Sequence, residues 1–427
     1  MTEKITYVNG ETFDSEVLKS ALAVVDFYST ECPPCEALAA KFEPLSELYG
    51  GDIKFVKVFR QENRALAESL SVKSSPTVLF FVNGRETGTR LTGGVKRSEL
   101  IQNLDAMLNP KRAAEIKSKI IPIETKTDVL ILGAGPAGLT AAIYTAQAKL
   151  NTIIIDRALS GGQVATTHQV SNFPGFTQPV AGYELMHRMN EQAKIAGAQT
   201  RYAVDLTRVD LKTKTVTIDG FETITAKKII IATGSSPREL GVKGEKEFKG
   251  RGISYCATCD AKYFQDKDVV VIGGGNSAVE ESLFISKFAR KITIVHQFDK
   301  LQANKTAQSK AFADPKISFM FSHEPREFMR VGDTVGKVLV EDLKTHKTAV
   351  IACDGVFIFA GMKPNLEDLS EGLELDNWGY IKTGEDMLTN LPDVYAAGDV
   401  ASKTCRQITT AVSDGTIAAV TISKALE

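Results

Sequence analysis

Short apolar runs alternate with longer amphipathic stretches along most of this 427-residue chain. Such runs are typical of strands buried inside a sheet, with helices between them. The clearest runs lie at residues 23–28, 53–58, 128–132 and 268–272. Residues 95–108 have the pattern of a helix. Strands and helices that alternate in this way predict the α/β fold class.

Four of the six cysteines form two Cys-x-x-Cys motifs, Cys32 with Cys35 and Cys256 with Cys259. Thiols at this spacing can close a disulfide and reopen it, and so can carry electrons. Two such pairs could also bind zinc, but in zinc sites they usually lie within about 15–20 residues of each other. We therefore interpret both pairs as redox centres and expect no metal.

Cys32 follows the first buried strand, where the chain turns into a helix predicted to run to about residue 48. A thiol at a helix N-terminus faces the positive end of the helix dipole and unpaired N–H groups, which favour the thiolate. Cys32 is therefore predicted to be the attacking sulfur. Cys35 lies one turn further along the same helix face and is predicted to resolve the mixed disulfide.

The N-terminal segment also has Asp-Phe in its first buried strand, Pro-Thr before a later apolar strand, and an Asn-Gly hairpin turn. With the Cys-Pro-Pro-Cys motif, these features make residues 1–108 resemble thioredoxin. The resemblance implies a cis peptide bond at Pro76 beside the disulfide. It also implies that Asp26, with Lys57 nearby, is a buried acid that helps proton transfer to Cys35.

The motif departs from the thioredoxin pattern at Glu31, Pro33 and Glu36, where the family usually has tryptophan, glycine and lysine. Two carboxylates beside the thiols disfavour the thiolate electrostatically, so partner preference is expected to differ. Residues 109–124 are polar and are predicted to be a linker that tethers this domain to the rest of the chain. Short tethers give effective concentrations near millimolar.

Two glycine-rich turns each follow a buried strand and open a helix. Such turns let a pyrophosphate approach the helix N-terminus, and an acid at the end of the next strand can bind a ribose hydroxyl. Asp156 is such an acid after the first turn, whereas His296 ends the strand after the second. Two turns of this kind predict two bound dinucleotides.

Further motifs lie at residues 161–163, 172–175, 232–234, 394–399 and 406–407. Together with the glycine-rich turns and Cys256/Cys259, they make residues 125–427 closely resemble bacterial low-molecular-weight thioredoxin reductase. The resemblance implies a thioredoxin fold followed by two Rossmann-like domains, and a homodimer. The implied FAD-binding domain is discontinuous, with the NAD(H)-binding domain inserted into it: residues 125–236 and 365–427 around residues 237–364.

The resemblance also assigns site residues. Asp399 would hold the ribityl chain of FAD, and Arg406 and Gln407 would donate hydrogen bonds to the flavin ring, where negative charge develops on reduction. The full expected FAD site is Gly133, Gly135, Pro136, Ala137, Gly138, Asp156, Arg157, Gly161, Gly162, Gln163, Asn172, Ala232, Thr233, Gly234, Gly398, Asp399, Arg406 and Gln407. The expected nicotinamide site is Gly273, Gly275, Asn276, Ser277, Ala278, His296 and Gln297.

The same resemblance implies that Cys256 and Cys259 accept electrons from the reduced flavin. Cys259 would lie nearer the ring, and Cys256 would attack the outgoing disulfide. Asp260 would be the acid that protonates the leaving thiolate. Cys353 and Cys405, outside both motifs, are expected to be small buried packing residues.

The expected electron donor is NADH. Reductases of this family that use NADPH carry His-Arg-Arg and a further arginine after the second strand of the nicotinamide domain. Here residues 296–302 contain none of these three arginines. Each charged hydrogen bond contributes about 1.5–3 kcal/mol, so their loss disfavours a 2′-phosphate. His296 replaces the acid that ordinarily marks NAD, and a ferredoxin-type donor is the alternative.

The composition excludes some classes of partner. The 51 lysines and arginines nearly balance the 52 aspartates and glutamates, so neither nucleic acid nor an anionic membrane is an expected partner. The N-terminus is polar, and no apolar run approaches the roughly 18 residues that span a bilayer. We therefore expect a cytoplasmic protein.

These features predict a disulfide reductase fused to its own thioredoxin, which delivers electrons to unidentified client protein disulfides. A peroxiredoxin reductase similar to the alkyl hydroperoxide reductase flavoprotein is the first alternative, although the chain has one thioredoxin-like unit with Cys-Pro-Pro-Cys. A non-enzymatic redox sensor is the second alternative, and the set of cofactor motifs disfavours it.

Overall fold

The computed structural model describes residues 5–167, 170 and 172–427, so the polar residues 1–4 lie outside it. Its N-terminal part contains helices α1 (Pro33–Tyr49), α2 (Arg64–Ser69) and α3 (Arg97–Ala106), and a π-helical turn at Asp14–Leu18. Its strands are β1 (Ile5–Val8), β2 (Leu22–Tyr28), β3 (Lys54–Phe59), β4 (Thr77–Val82) and β5 (Arg85–Thr92). They form one mixed sheet in the order β1-β3-β2-β4-β5.

Strand β2 lies in the middle of this sheet. Val24, Val25 and Phe27 are fully buried, because both faces of the sheet are covered; this explains the continuous apolar run in the sequence. Strands β4 and β5 form a hairpin through Asn83 and Gly84, which both have positive φ, as the predicted Asn-Gly turn requires.

Helix α4 (Pro110–Lys117) occupies much of the segment expected to be a linker. Its Ile116 is fully buried in the same hydrophobic cluster as Leu104 of α3, and Arg112 lies 2.7 Å from Asp52. The helix therefore belongs to the N-terminal unit, defined here as residues 5–117. The following strand begins at Ile123, so residues 118–122 alone join this unit to the rest.

The rest of the chain has alternating helices and strands. The helices are α5 (Pro136–Gln147), α6 (Gly162–Ala165), α7 (Gly182–Ala196), α8 (Glu245–Phe248), α9 (Ala257–Asp260), α10 (Asn276–Ile285), α11 (Lys305–Ala313) and α12 (Ile408–Leu426). The strands are β6 (Ile123–Leu132), β7 (Thr152–Asp156), β8 (Gln199–Tyr202), β9 (Leu206–Asp210), β10 (Thr215–Ile218), β11 (Glu222–Ile231), β12 (Ser235–Pro237), β13 (Ile253–Ser254), β14 (Asp268–Ile272), β15 (Lys291–His296), β16 (Ile317–Phe321), β17 (His323–Val331), β18 (Thr334–Asp342), β19 (Thr348–Ala352), β20 (Gly355–Ile358), β21 (Met362–Pro364) and β22 (Val394–Ala396). Among these described helices, none is long and apolar enough to cross a membrane.

Three sheets organise this part of the chain into two units. A seven-stranded sheet has the order β8-β7-β6-β11-β10-β9, with β22 also parallel to β11. We call it, with its helices, the central unit (residues 123–234 and 365–427). A five-stranded parallel sheet, β13-β20-β14-β15-β16, and a three-stranded antiparallel sheet, β17-β18-β19, form the inserted unit (residues 238–361). The predicted α/β fold class with two Rossmann-like domains is confirmed; the seven-stranded sheet is mixed, because β10 is antiparallel to β11 and β9.

The chain crosses between these units twice, through β12 on the way out and β21 on the way back. The two strands pair with each other as an antiparallel ribbon, Ser235 opposite Pro364 and Pro237 opposite Met362. A two-stranded ribbon is the narrowest connection that a sheet can make. It leaves the two units joined by few backbone hydrogen bonds.

The N-terminal unit lies against the central unit. Lys41 of α1 is 6% exposed, and its Nζ donates to the carbonyl oxygens of Val95, 2.9 Å away, and of Tyr202 in the central unit, 2.8 Å away. Lys96 Nζ lies 2.7 Å from Asp205 Oδ1 of the central unit. A buried lysine must have such partners, so the contact fixes one docked position.

Candidate functional site

The Cys32–Cys35 disulfide lies at the N-terminus of α1, as predicted. Cys32 is the N-cap residue, and its Sγ accepts a hydrogen bond from the backbone N–H of Cys35, 3.2 Å away. The Ser75–Pro76 peptide bond is cis, and Ser75 O lies 3.6 Å from Cys32 Sγ. The disulfide therefore has the helix N–H groups on one side and the Pro76 loop on the other, which suits a thiolate on Cys32.

Asp26 is a buried acid in the middle of β2. It is 1% exposed, and its Oδ1 has no hydrogen-bond partner among the described residues. Burial raises the pKa of Asp26 to about 7, although the charge of Lys57, opposite it on β3, lowers it. Lys57 also pairs with Glu43 at 2.7 Å. A carboxyl with a pKa near neutrality can exchange protons with a thiol at physiological pH, as a proton-transfer role requires.

The carboxylates beside the motif are not equivalent. Glu31 is exposed, but Glu36 pairs with Lys194 of α7 in the central unit at 2.7 Å. The ammonium group partly offsets the negative charge that was expected to disfavour the thiolate. This contact was not predictable from local sequence patterns, because its partners lie 158 residues apart.

The Cys256–Cys259 disulfide is held against the central unit. Cys256 is the N-cap residue of α9, and its Sγ accepts from the backbone N–H of Cys259, 3.3 Å away. Thr258 Oγ1 donates to Thr166 O at 3.0 Å, and Cys259 Sγ lies 4.0 Å from the same oxygen. Asp260 follows directly and is half-buried. Of the two sulfurs, Cys259 lies against the central unit, as the resemblance implies.

The first glycine-rich turn leaves room for a phosphate group. Gly133 has φ of 108°, and a Cβ there would lie 2.4 Å from the oxygen of Ala232; a Cβ at Gly138 would lie 1.9 Å from the oxygen of Gly133. Asp156 ends β7, and its Oδ2 accepts from the backbone N–H of Ala134 at 2.7 Å. Burial raises the pKa of Asp156. The acid therefore lies directly at the turn, where a ribose would be bound.

A cleft of about 180 Å³ opens beside this acid and is lined by Arg157, Thr233 and Asn365, among others. Thr233 Oγ1 donates to the backbone oxygen of Asn365 at 2.7 Å, and Asn365 Nδ2 donates back to Thr233 O at 2.9 Å. Asn365 is not part of the predicted site. It is the first residue of the central unit after the ribbon, and the sequence shows no motif there.

The other expected flavin residues meet at the start of α12. Gln407 is the N-cap residue of α12, and its Oε1 accepts from Asn172 Nδ2 at 3.1 Å. The guanidinium group of Arg406 lies 3.8 Å from the ring centre of Tyr380, and its buried Nε has no hydrogen-bond partner among the residues that the structure describes. Burial raises the pKa of Asp399, seven residues before Arg406. An unpaired buried donor at this point fits a bound acceptor such as a reduced flavin ring.

Helix α6 brings the motif of residues 161–163 next to the first glycine-rich turn. Gly161 N donates to Ala134 O at 2.7 Å, and a Cβ on Gly162 would lie 3.4 Å from Gly135 Cα. Both glycines have positive φ, 119° and 56°, which favours glycine. The fold therefore places the motifs of residues 133–138 and 161–163 against each other.

The second glycine-rich turn carries His296 in place of an acid. A Cβ on Gly274 would lie 2.5 Å from the His296 ring, so the imidazole packs directly on the turn, as Asp156 does on the first. His296 is 5% exposed, its Nε2 has no partner among the described residues, and burial lowers its pKa. Phe298 packs edge-on against it at 5.3 Å, and Gln297 is exposed. A neutral buried imidazole with a free nitrogen fits a ribose hydroxyl.

The two remaining cysteines differ. Cys353 is buried, as expected, and burial raises the pKa of its thiol to about 12. Cys405 is exposed, so the expectation that it is a buried packing residue is wrong. It lies in the loop before α12, which the sequence pattern alone does not show to be open. In the described ranges no group of three or more His, Cys, Asp or Glu side chains is placed to hold a metal ion.

Comparison with known proteins gives two matching families. Residues 127–415 match the family described as pyridine nucleotide-disulphide oxidoreductase, and residues 4–106 match the one described as thioredoxin. The thioredoxin reductase of Bacillus subtilis (strain 168) is 44% identical over 301 residues, 70% of this chain and 95% of that protein. The 34.2 kDa protein in the rubredoxin operon of Clostridium pasteurianum is 43% identical over 302 residues, 70% of this chain and 97% of that one.

Two solved structures are also similar. The thioredoxin reductase of Lactococcus lactis, in what is termed the FR conformation, has a TM-score of 0.66 and 39% identity, and the match covers 70% of this chain and 98% of that one. The thioredoxin reductase of T. acidophilum has a TM-score of 0.65 and 34% identity, with 70% and 99% covered. Both similarities extend over nearly the whole of the solved chains.

The raised pKa of Asp26 can be tested by substitution. An ionised carboxylate at this buried position is costly, so we expect Asp26→Asn to stabilise the N-terminal unit at pH 8. At about 1.4 kcal/mol per pKa unit, the gain in the free energy of unfolding is up to about 4 kcal/mol. The folded pKa lies above the unfolded value, so this cost is complete above about pH 7 and vanishes below about pH 4. The measurement is urea unfolding monitored through hydrogen exchange of the β2 amides, which gives the free energy of unfolding of this unit. The exposed Asp14→Asn is the control, and an equal gain at pH 4 and pH 8 would contradict the assignment.

Proposed function

Since the chain belongs to the pyridine nucleotide-disulphide oxidoreductase family and carries a thioredoxin domain before it, we propose that it is a thioredoxin reductase that reduces its own thioredoxin. Electrons then pass from Cys256/Cys259 to Cys32/Cys35 and on to disulfides of client proteins. The observation that supports this proposal most directly is that one chain contains two disulfides, each at the N-terminus of a helix.

FAD is the cofactor that the family implies, and the residues of the central unit fit it. Asp156 and the first glycine-rich turn would hold its ribose and pyrophosphate, and Arg406 and Gln407 its ring. When bound, FAD supplies two-electron transfer between a nicotinamide and the Cys256–Cys259 disulfide. The unpaired Nε of Arg406 supports this assignment, because a buried donor left without an acceptor is costly.

The exchange between the two disulfides needs one attack and one release. The Cys256 thiolate attacks Cys32 Sγ, which forms a Cys256–Cys32 bond and breaks the Cys32–Cys35 bond. Cys35 leaves as a thiolate and takes a proton, for which the near-neutral pKa of Asp26 suits that acid. The Cys259 thiolate then attacks Cys256 Sγ and releases Cys32 reduced. Asp260, next to Cys259, is the proton donor and acceptor for the reductase pair.

The position of Cys256 and Cys259 implies that the inserted unit moves between the reduction of this disulfide and the delivery of its electrons to Cys32. With Thr258 bonded to Thr166 O, Cys256 and Cys259 lie against the central unit and make no contact with Cys32 in the described part of the chain. Delivery therefore requires the inserted unit to turn on the β12–β21 ribbon, which breaks the Thr258–Thr166 hydrogen bond. A ribbon of two short strands permits such a turn at little cost.

We propose NADH as the donor. His296 lies where an acid would contact the ribose, and its unpaired Nε2 supports a hydrogen bond to an adenosine hydroxyl. Residues 296–304 contain no arginine to bind a 2′-phosphate, and Asp299 would repel one. Exposed Lys300 is the only cation in this stretch. These features together favour a ribose without phosphate.

Anaerobic titration of the flavin band with each nicotinamide tests the donor. We expect NADH to bleach the band at a concentration at least about tenfold lower than NADPH, since one charged hydrogen bond is worth about 1.5–3 kcal/mol. Gln297→Arg with Phe298→Arg should shift the preference toward NADPH, and the exposed Phe312→Arg should not. A wild-type preference for NADPH would refute NADH as donor, and no bleaching by either would favour a ferredoxin-type donor.

Client reduction tests the relay. We expect Cys32→Ser to abolish NADH-driven reduction of insulin disulfide, because its electrons leave through Cys32, while reduction of a small aromatic disulfide by Cys256/Cys259 continues. Cys405→Ser is the matched control, an exposed thiol outside both pairs that should leave both rates unchanged. Insulin reduction that survives in Cys32→Ser would exclude the thioredoxin domain from the path. Faster reduction of a peroxiredoxin than of insulin would favour a peroxiredoxin reductase.

A further inference from the structure

Arg97 shares one feature with the residues of the two cofactor sites. It is 4% exposed, and within the described part of the chain its Nε has no hydrogen-bond partner, like the unpaired nitrogens of Arg406 and His296. Unlike those residues, Arg97 lies in neither cofactor site: it is the first residue of α3 in the thioredoxin domain. A buried guanidinium without acceptors is costly, so its surroundings call for an explanation.

The surroundings of Arg97 are the interface between the thioredoxin domain and the central unit. Its guanidinium group lies 4.5 Å from the ring centre of Phe221, a residue of the central unit. Within the described residues it makes no ion pair or hydrogen bond. It lines a cavity of about 400 Å³ between the two parts of the chain, large enough for a small organic molecule.

Most other charges around this cavity are already paired. Glu36 lies 2.7 Å from Lys194, and Arg201 lies 3.4 Å from Glu222. These two pairs cancel in net charge. All four of these residues line the cavity, and each pair has at least one residue of the central unit.

The unpaired groups leave a positive charge. Lys41 donates to two backbone oxygens, which carry no formal charge, and Arg97 has no acceptor. Asp219, which also lines the cavity, is the one carboxylate that faces both cations without a cationic hydrogen-bond partner. Among the groups that line the cavity, two cations against one carboxylate leave an excess of one positive charge; Glu191, the second carboxylate on Lys194, lies outside this lining.

We propose that this cavity is a binding site for a small organic oxyanion, a carboxylate or phosphate ester, whose oxygens accept hydrogen bonds from the Arg97 guanidinium. Arginine binds both groups through two parallel N–H donors. Because the thioredoxin domain forms one wall and the central unit the other, the ligand binds only the docked arrangement. Its binding therefore stabilises that arrangement by mass action.

Isothermal titration of the FAD-loaded full chain tests the site, with inorganic phosphate in one arm and 4-bromobenzoate in the other, at constant ionic strength. We expect at least one probe to bind the wild type and to bind Arg97→Gln at least tenfold more weakly. The control is Arg64→Gln, an exposed arginine of the same domain that should leave binding unchanged. The arm that binds more tightly identifies the oxyanion.

Two further measurements guard against misfolding of the variant. Arg97→Lys keeps the charge but loses the paired donors, so it should bind the probe with an intermediate affinity and retain the flavin spectrum. Crystals of the wild type soaked in 4-bromobenzoate should show the anomalous signal of bromine inside the cavity that Arg97 and Phe221 line. Binding of neither probe, equal binding to Arg97→Gln, or bromine only elsewhere on the protein would overturn the proposal.

Discussion

In the proposed relay a disulfide is reduced only by a donor in direct contact with it, either the reduced flavin or a thiolate, and the larger features of this chain depend on that constraint. Cys256 and Cys259 must contact the flavin to receive electrons and then Cys32 to deliver them. The structure has them beside Thr166 of the central unit, the unit that carries the residues expected to bind FAD. The narrow ribbon between the units and the separate docking of the thioredoxin domain both follow from the need to be in two places in turn.

The position of the thioredoxin domain limits how the two disulfides can meet. Lys41 donates from a buried position to the backbone oxygen of Tyr202, and Lys96 pairs with Asp205, so polar contacts hold the domain against the central unit. Helix α4 shortens the connection to residues 118–122, which reach at most about 17 Å when extended. In the proposed relay the thioredoxin domain therefore stays near the central unit, and the inserted unit brings Cys256 to it.

Local patterns predicted much of this molecule. Cys32 at a helix N-terminus, the buried Asp26 and the acid Asp156 at a glycine-rich turn all depend on neighbours within one or two elements, and the structure has them as expected. Pairings between distant parts of the chain were not predictable: Glu36 with Lys194, and Asn365 with Thr233. The residues next to a side chain in the sequence do not indicate a partner that folding brings to it from more than a hundred residues away.

The central claim is that the two disulfides exchange directly. The most direct measurement is to combine Cys35→Ser with Cys259→Ser in the full chain, which removes both resolving sulfurs, and to map disulfides by mass spectrometry after mild oxidation. We expect a Cys32–Cys256 linkage as the main product, and we expect it to be lost when Cys32 or Cys256 is also replaced by serine. Absence of that linkage, with Cys32 and Cys256 each free or bonded elsewhere, would contradict it.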